Sequence, residues 1–431
     1  MPQRISPARS VSGSVTLPGD KSISHRYAMI AAVAQGESRI QNYSTGADCH
    51  STLNAIRALG ISVEENGTGV AIGGRGPEGW RPPAADLDAG NSGSTIRMLS
   101  GMLAAQPFPT RIGGDESLSR RPMDRIIKPL TEMGASIHAR KDEARDGLFP
   151  QLEIHGRPLH AIDYTLPVAS AQVKSCVLLA GLFAEGDTIV REPVRTRDHT
   201  EIALREFGAE IEVHRRVIRL TGGAKLAGRE LTVPGDLSSA AFFMVAALLV
   251  PEANLVIHGV GLNPTRAGLL DFLVSIGAAI KVLDLHETGG EVVGDLRVRS
   301  SKITGGLIEG AMTAALIDEI PALAVLGAAS EDGLTVRNAS ELRVKETDRI
   351  ATLEANFRRM GVEMQTAPDG FYVPGRQAFH AAEIDSAGDH RIAMAFAVAA
   401  LAADGPCVID GAECAGVSFP EFFSTLREIA R

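Results

Sequence analysis

The chain is short of most features that would assign it quickly. It has four cysteines, Cys49, Cys176, Cys407 and Cys414, in 431 residues. None forms a paired metal-ligand spacing, and their density is far below that of a disulfide scaffold, so small buried thiols in a reducing compartment are expected. Aromatic residues make up 4%, so aliphatic side chains must fill the core. The net charge of −9 leaves no surplus for the extended basic face that nucleic acid or an anionic membrane surface would need. No apolar run reaches the roughly 18 residues of a membrane span, and Met1 to Ser10 lacks the apolar segment of a secretory signal. Neither a GxxxxGK[ST] loop nor a strand-borne GxGxxG is present, which argues against nucleotide chemistry. The histidines are scattered, and no ligand-spaced metal set emerges.

What the chain does have is repetition. A turn of Gly, Asp, Asn and Ser, a dozen Ala/Leu/Met-rich residues of helical character, and a Gly-marked strand recur six times. The turns begin near Gly19, Gly90, Ser170, Gly235, Asp318 and Gly388, at an irregular period of roughly 65 to 83 residues, longer than common solenoid units. The helical segments Tyr27 to Ala34, Ile96 to Ala105, Val173 to Phe183, Ala241 to Val250, Ala322 to Ala329 and Ile392 to Ala402 are apolar nearly all round, which predicts buried helices. Amphipathic segments such as Met123 to Met133, Arg266 to Ile276 and Thr347 to Met360 would cover them. Strands such as Ile61 to Glu64, Ile211 to Val213, Glu291 to Arg299 and Val362 to Gln365 would complete the sheets. Buried helices demand sheets outside them, which favours an inside-out α/β arrangement over a doubly wound parallel sheet.

The segment LPGDKSIS at Leu17 to Ser24 is echoed by VPGDLSSA at Val233 to Ala240. Pro before Gly breaks regular structure, and the Asp can then cap a helix. The two echoes are the expected crossings between two domains of three repeats each: residues 20–232, and residues 1–19 together with 233–431. Three parallel buried helices per domain would point their N-termini at one end. Each terminus stabilises a nearby anion by about 0.3 to 1 kcal/mol, so an anionic ligand between two closing domains is expected.

The helix mouths carry the candidate residues. GDKSISHR groups Lys21, Ser22 and Arg26, a compact cation and a two-pronged donor suited to phosphate and carboxylate. AGNSGSTIR places Gly93 where a ligand oxygen could approach bare backbone N–H groups, and GDESLSRRP supplies Arg121. ASAQVKS offers Ser170, Ala171 and Gln172 as neutral donors, and RTRDHTE adds Arg197. In the other half, LIDEIP holds Asp318. RVKETDR carries Lys345, Glu346 and Arg349, with Lys345 and Arg349 expected on one helical face. GDHRIAM opens a buried helix with Asp389, His390 and Arg391, where two cationic side chains oppose the dipole unless an anion sits there.

Taken together, GDKSISHR, GNSGSTIR, SRRPM, SAQVKS, RDHTE, VPGD, DEIP, RVKETDR and GDHRIAM resemble the 3-phosphoshikimate 1-carboxyvinyltransferase (EPSP synthase) family, in the family's order from about Leu17 to Pro420. SAQVKS and RDHTE resemble its class II branch. The resemblance implies two inside-out α/β domains, each of three βαβαββ units. It also implies a cytoplasmic enzyme that requires no cofactor, expected as a monomer, that acts on two small molecules. Lys21, Ser22, Arg26, Ser170, Ala171, Gln172, Arg197, Asp318 and Lys345 would hold shikimate 3-phosphate. Lys21, Gly93, Arg121, Gln172, Glu346, Arg349 and Arg391 would surround phosphoenolpyruvate. The implied reaction transfers the enolpyruvyl group to the 5-hydroxyl and releases phosphate through a tetrahedral intermediate. Asp318 is assigned as base, and Glu346 as acid with Lys21 as a competing proton carrier.

Two positions depart from relatives: CAGVSFP has Val417 where many class I members carry a substrate-contacting lysine, and Gly93 stands where some glyphosate-tolerant members have Ala. The alternatives are the UDP-N-acetylglucosamine enolpyruvyl transferase, whose family has a GAKN-type turn in place of GDKS, and a non-catalytic anion-binding protein.

Overall fold

The computed structural model describes residues 2–142 and 145–431. The chain forms two compact units. The first comprises Gly19–Val233 with Thr288–Glu291; the second comprises Met1–Pro18, Pro234–Glu287 and Val292–Arg431. Each has its own aliphatic core.

Six helices are the buried centres of the repeats. The first unit holds the first, second and third, at Lys21–Val33, Gly93–Leu103 and Ala171–Gly181. The second unit holds the fourth, fifth and sixth, at Leu237–Leu249, Ile320–Ala329 and His390–Leu401. Almost every residue of the fourth and sixth is buried, so the all-round apolar pattern reads out as predicted. Close packing sets the composition too. A Cβ at Gly101 in the second helix would collide with the backbone carbonyl of Cys176 in the third, so only Gly lets these helices approach so near.

The polar turns that precede the helices act as caps. Asp20 accepts from the Ile23 N–H at 2.9 Å, Ser92 from Thr95 at 3.1 Å, and Ser170 from Val173 at 3.4 Å. In the second unit Asp236 accepts from Ser238 and Asp389 from Arg391, both at 2.9 Å. Each such cap contributes about 1 kcal/mol and leaves the remaining first-turn N–H groups directed outward.

In the second, third and fifth copies the sheets follow one pattern: a parallel pair joined through the buried helix, then an antiparallel hairpin. Leu87–Asp88 lies parallel to Pro109–Gly113, which pairs antiparallel with Arg145–His155, and that strand with Ser136–Asp142. Asp163–Thr165, Asp187–Arg191, Val217–Thr221 and Ile211–His214 repeat the order.

At the two crossings the parallel partners are exchanged. Ser12–Thr16 leads into the first helix but pairs with Asn254–Gly261 of the second unit, while Glu230–Thr232 leads into the fourth helix but pairs with Gln35–Gln41 of the first. The sixth copy is reduced: Glu383–Asp385, Cys407–Asp410 and Gln3–Ile5 form a three-stranded sheet. A Cβ at Gly19, where one crossing occurs, would overlap the Asn42 carbonyl.

Two expectations need correcting. Val362 to Met364 lie outside the strand, which runs Gln365–Ala367 against Gly370–Val373; Val362 is buried in the core instead. Lys345 and Arg349 do not share a helical face. The helix begins at Arg349 because Asp348 caps it through the Ala351 N–H at 3.0 Å, and a capping residue has non-helical backbone. Lys345 therefore sits in the turn after a short 3-10 segment, Ser340–Val344.

Candidate active site

In the first unit the three helix mouths meet through their side chains. Gln172, in the first turn of the third helix, accepts from Arg97 Nη1 at 2.8 Å and donates to Ser94 Oγ at 3.1 Å on the second. Arg26 of the first helix donates from Nη2 to Ser175 Oγ of the third at 2.8 Å.

Arg26 is buried and held on three sides: Nε donates to Thr200 Oγ1 at 2.6 Å and Nη1 to the Ser22 carbonyl at 2.7 Å, beside the Ser175 contact. Burial lowers its pKa to about 10, with Glu201 and Asp20 opposing the shift and Arg197 adding to it. Arg197 is thus part of the same electrostatic neighbourhood. Lys21 Nζ pairs with Asp48 Oδ2 at 3.0 Å.

Gly93 is the first residue of the second helix. A Cβ there would lie 2.8 Å from Arg97 Nη1 and 3.5 Å from Arg121 Nη1, so two guanidinium groups flank the bare backbone. Arg121 donates from Nη2 to Asn91 Oδ1 at 2.8 Å and to Ser117 Oγ at 3.1 Å. Of the residues expected in this unit, Lys21, Ser22, Arg26, Ser170, Ala171, Gln172 and Arg197 gather around the first and third mouths, and Gly93 and Arg121 around the second.

The second unit gathers the remaining candidates around one guanidinium. Arg349 is only 1% exposed. Its Nε donates to Asp389 Oδ2 at 2.8 Å, and its Nη2 to Glu346 Oε2 at 2.7 Å and Asp389 Oδ1 at 3.2 Å. Nη1 lies 3.8 Å from Asp318 Oδ1. Burial acts to lower the Arg349 pKa, but Asp389, Glu346 and Asp318 outweigh it and raise the value, so this cation stays charged at any working pH. Lys345 Nζ approaches the same Asp318 oxygen at 3.4 Å. Arg391 donates to the Ser238 carbonyl at 3.4 Å and lies 5.9 Å above the Phe242 ring. Asp318, Lys345, Glu346 and Arg349 form one contiguous cluster, which Asp389 joins to the sixth helix mouth.

Sequence reasoning missed several participants. Arg97 lies four residues beyond Gly93, the helical spacing that puts it on the same face, so the signal was available. Asp48, in the first turn of the helix Ala47–Ala58, carries no local sign that it will meet Lys21. His25 is also buried: Nδ1 is hydrogen-bonded to Thr52 Oγ1 at 2.7 Å, and Thr52 continues to Thr95 at 2.7 Å. Its pKa falls well below 6.5 through burial and the neighbouring Lys21 and Arg26, so it is a neutral structural link.

Among the described residues no group of three or more His, Cys, Asp or Glu side chains could hold a metal ion, and no helix is long and apolar enough to cross a membrane.

The family model for EPSP synthase (3-phosphoshikimate 1-carboxyvinyltransferase) matches residues 5–426. The chain belongs to the EPSP synthase family. It is 65% identical over 430 residues to the 3-phosphoshikimate 1-carboxyvinyltransferase of Solibacter usitatus, covering 100% of both chains. With the protein of that name from Koribacter versatilis it shares 54% identity over 427 residues, 99% of this chain and 98% of the other. The solved EPSP synthase of Acinetobacter baumannii superimposes with a TM-score of 0.87 at 41% identity, covering 99% of this chain and 98% of that one. The resemblance read from the motifs therefore holds along the whole chain, and with it the transferase class and the fold of the family.

Proposed function

We propose that this protein transfers the enolpyruvyl group of phosphoenolpyruvate to the 5-hydroxyl of shikimate 3-phosphate and releases phosphate. Full-length similarity to enzymes named for this activity supports the reading. The observation that carries it furthest is the pair of carboxylates, Asp318 and Glu346, on one buried guanidinium with Lys345 alongside.

Addition requires that the acceptor hydroxyl lose a proton, that its oxygen bond to C2 of phosphoenolpyruvate, and that the methylene carbon gain a proton. Asp318 takes the first proton; Glu346 delivers the second, with Lys21 as the competing donor. In the following elimination the bond from C2 to the phosphate oxygen breaks and a proton leaves the methyl group. Arg349 and Arg391 hold the donor carboxylate, a role that suits planar two-pronged donors. Lys21, Arg121, Gln172 and the backbone at Gly93 hold its phosphate side. Lys21, Ser22, Arg26, Ser170, Ala171, Gln172, Arg197, Asp318 and Lys345 hold shikimate 3-phosphate. No step in this scheme calls for a cofactor. The protein acts as a cytoplasmic monomer in this reading.

The test is phosphate release measured with both substrates, with each alone, and with UDP-N-acetylglucosamine as acceptor. Release that needs both phosphoenolpyruvate and shikimate 3-phosphate is expected. Release with the nucleotide sugar instead would replace the acceptor, and two-ligand binding without release would make the protein a non-catalytic binder.

A further inference from the structure

Lys174 lies one turn inside the third helix and is 0% exposed. Its ammonium sits 2.7 Å from Glu201 Oε1 and 3.1 Å from Glu192 Oε1, both carboxylates being almost fully buried. Three separate segments end at this nitrogen: the helix that begins with Ala171 and Gln172, the end of the Asp187–Arg191 strand, and the helix His199–Glu206.

Each partner leads to a residue of the phosphoshikimate set. Glu192 Oε1 accepts from the Thr196 N–H at 3.1 Å and from its hydroxyl, shaping the turn that carries Arg197. Glu201 follows Thr200, and Lys174 precedes Ser175; Thr200 and Ser175 hydrogen-bond to each other at 2.6 Å and both receive Arg26. The ion pair 174–201 thus runs beside the hydroxyl pair 175–200, two rungs joining the same two helices.

The charges give the arrangement its sense. With all three groups ionised, Glu192, Glu201 and Lys174 sum to a net of −1; burial pushes the Glu201 carboxyl up, and Lys174 opposes that shift. Glu201 Oε2 is buried and has no hydrogen-bond partner among the described residues. Removing the ammonium would leave two buried carboxylates, one of which, Glu201, already acts electrostatically on Arg26, and a buried charge without its partner is costly.

We propose that Lys174 is a positioning residue for shikimate 3-phosphate: it occupies the Glu192 and Glu201 carboxylates so that Arg26 stays on its hydroxyl partners and keeps its charge for the ligand. The proposal rests on the function assigned above.

The experiment compares wild type, Lys174→Met and the double variant Lys174→Met/Glu201→Gln, which keeps the net charge of −1 on the former trio. Calorimetry gives the Kd for shikimate 3-phosphate, steady-state kinetics give both KM values, and circular dichroism follows folding. Lys174→Met is expected to weaken shikimate 3-phosphate by about tenfold or more, the scale of a lost buried charge pair, while KM for phosphoenolpyruvate stays within about threefold. The double variant is expected to recover shikimate 3-phosphate binding to within about threefold of wild type. A folded Lys174→Met protein with unchanged affinity, or with both substrates weakened alike, overturns the proposal. So does a double variant that regains its melting temperature but not its affinity. If Lys174→Met does not fold, the double variant decides by the same affinity criterion. Wild type that binds no shikimate 3-phosphate overturns the functional reading and this proposal together; wild type that binds beside an unaffected Lys174→Met overturns this proposal alone.

Discussion

The two units solve the same geometric problem with different partners for arginine. In the first, Arg26 is met by the hydroxyls of Thr200 and Ser175 and by a backbone carbonyl. In the second, Arg349 is met by the carboxylates of Asp389, Glu346 and Asp318. Counting Lys345 and Arg349 as +2 and the three carboxylates as −3, that cluster carries −1. Neutral oxygens orient a guanidinium and leave its full charge for a ligand; carboxylates offset part of the charge and are themselves held in place by it. In the proposed scheme Arg26 of the first unit serves affinity, while Asp318 and Glu346 of the second serve the proton transfers.

Substitutions can break that contrast. The largest effect is expected from Asp318→Asn: kcat for phosphate release should fall by about 10²- to 10⁴-fold, the range for a general base, with KM for phosphoenolpyruvate little changed. Near-normal turnover by a folded variant would remove Asp318 from the base role. Next comes Arg349→Met, which takes the shared guanidinium away from three carboxylates and should cost about 3 to 5 kcal/mol of stability, read as a lowered melting temperature. An unchanged melting temperature would show that the cluster is not held by its guanidinium. Arg26→Met should act on affinity instead, raising KM for shikimate 3-phosphate by about 10- to 100-fold, equivalent to roughly 1.5 to 3 kcal/mol for hydrogen bonds to a charged group. A drop in kcat with KM intact would erase the division between units. The smallest change is Gly93→Ala. The new methyl meets the far end of the Arg97 side chain, which can yield, so folding stability should shift by less than about 1 kcal/mol while KM for phosphoenolpyruvate rises a few fold. A KM change confined to shikimate 3-phosphate would place Gly93 on the other ligand.

Much of this was legible from residues alone, for identifiable reasons. Caps and apolar helices are local: Asp20, Ser92, Ser170, Asp236 and Asp389 each act within three residues, so five of the six mouths carry a local capping signal, while Ile320–Ala329 opens without a side-chain cap. The Lys345 to Arg349 spacing misled because two local signals competed and the Asp348 cap prevailed. Asp48 and Lys21 are 27 residues apart, and Lys174 meets Glu201 from another helix; such pairings depend on tertiary packing and leave no periodic trace. The same holds for the tip Thr288–Glu291, which joins the first unit while its hairpin strands belong to the second. There His199 Nδ1 is hydrogen-bonded to Glu291 at 2.6 Å.

The exchange of strands at the crossings has a consequence for synthesis on the ribosome. All strands of the first unit's three sheets have been synthesised once Thr232 is made, so that unit can close its sheets early. The opening strand Gln3–Ile5 must wait for Cys407–Asp410, about 400 residues later, or about 20 to 80 s at translation rates of about 5 to 20 residues per second. For that interval the nascent chain carries an unpaired leading edge next to a finished neighbour, a window in which chaperone occupancy should be concentrated on its first residues.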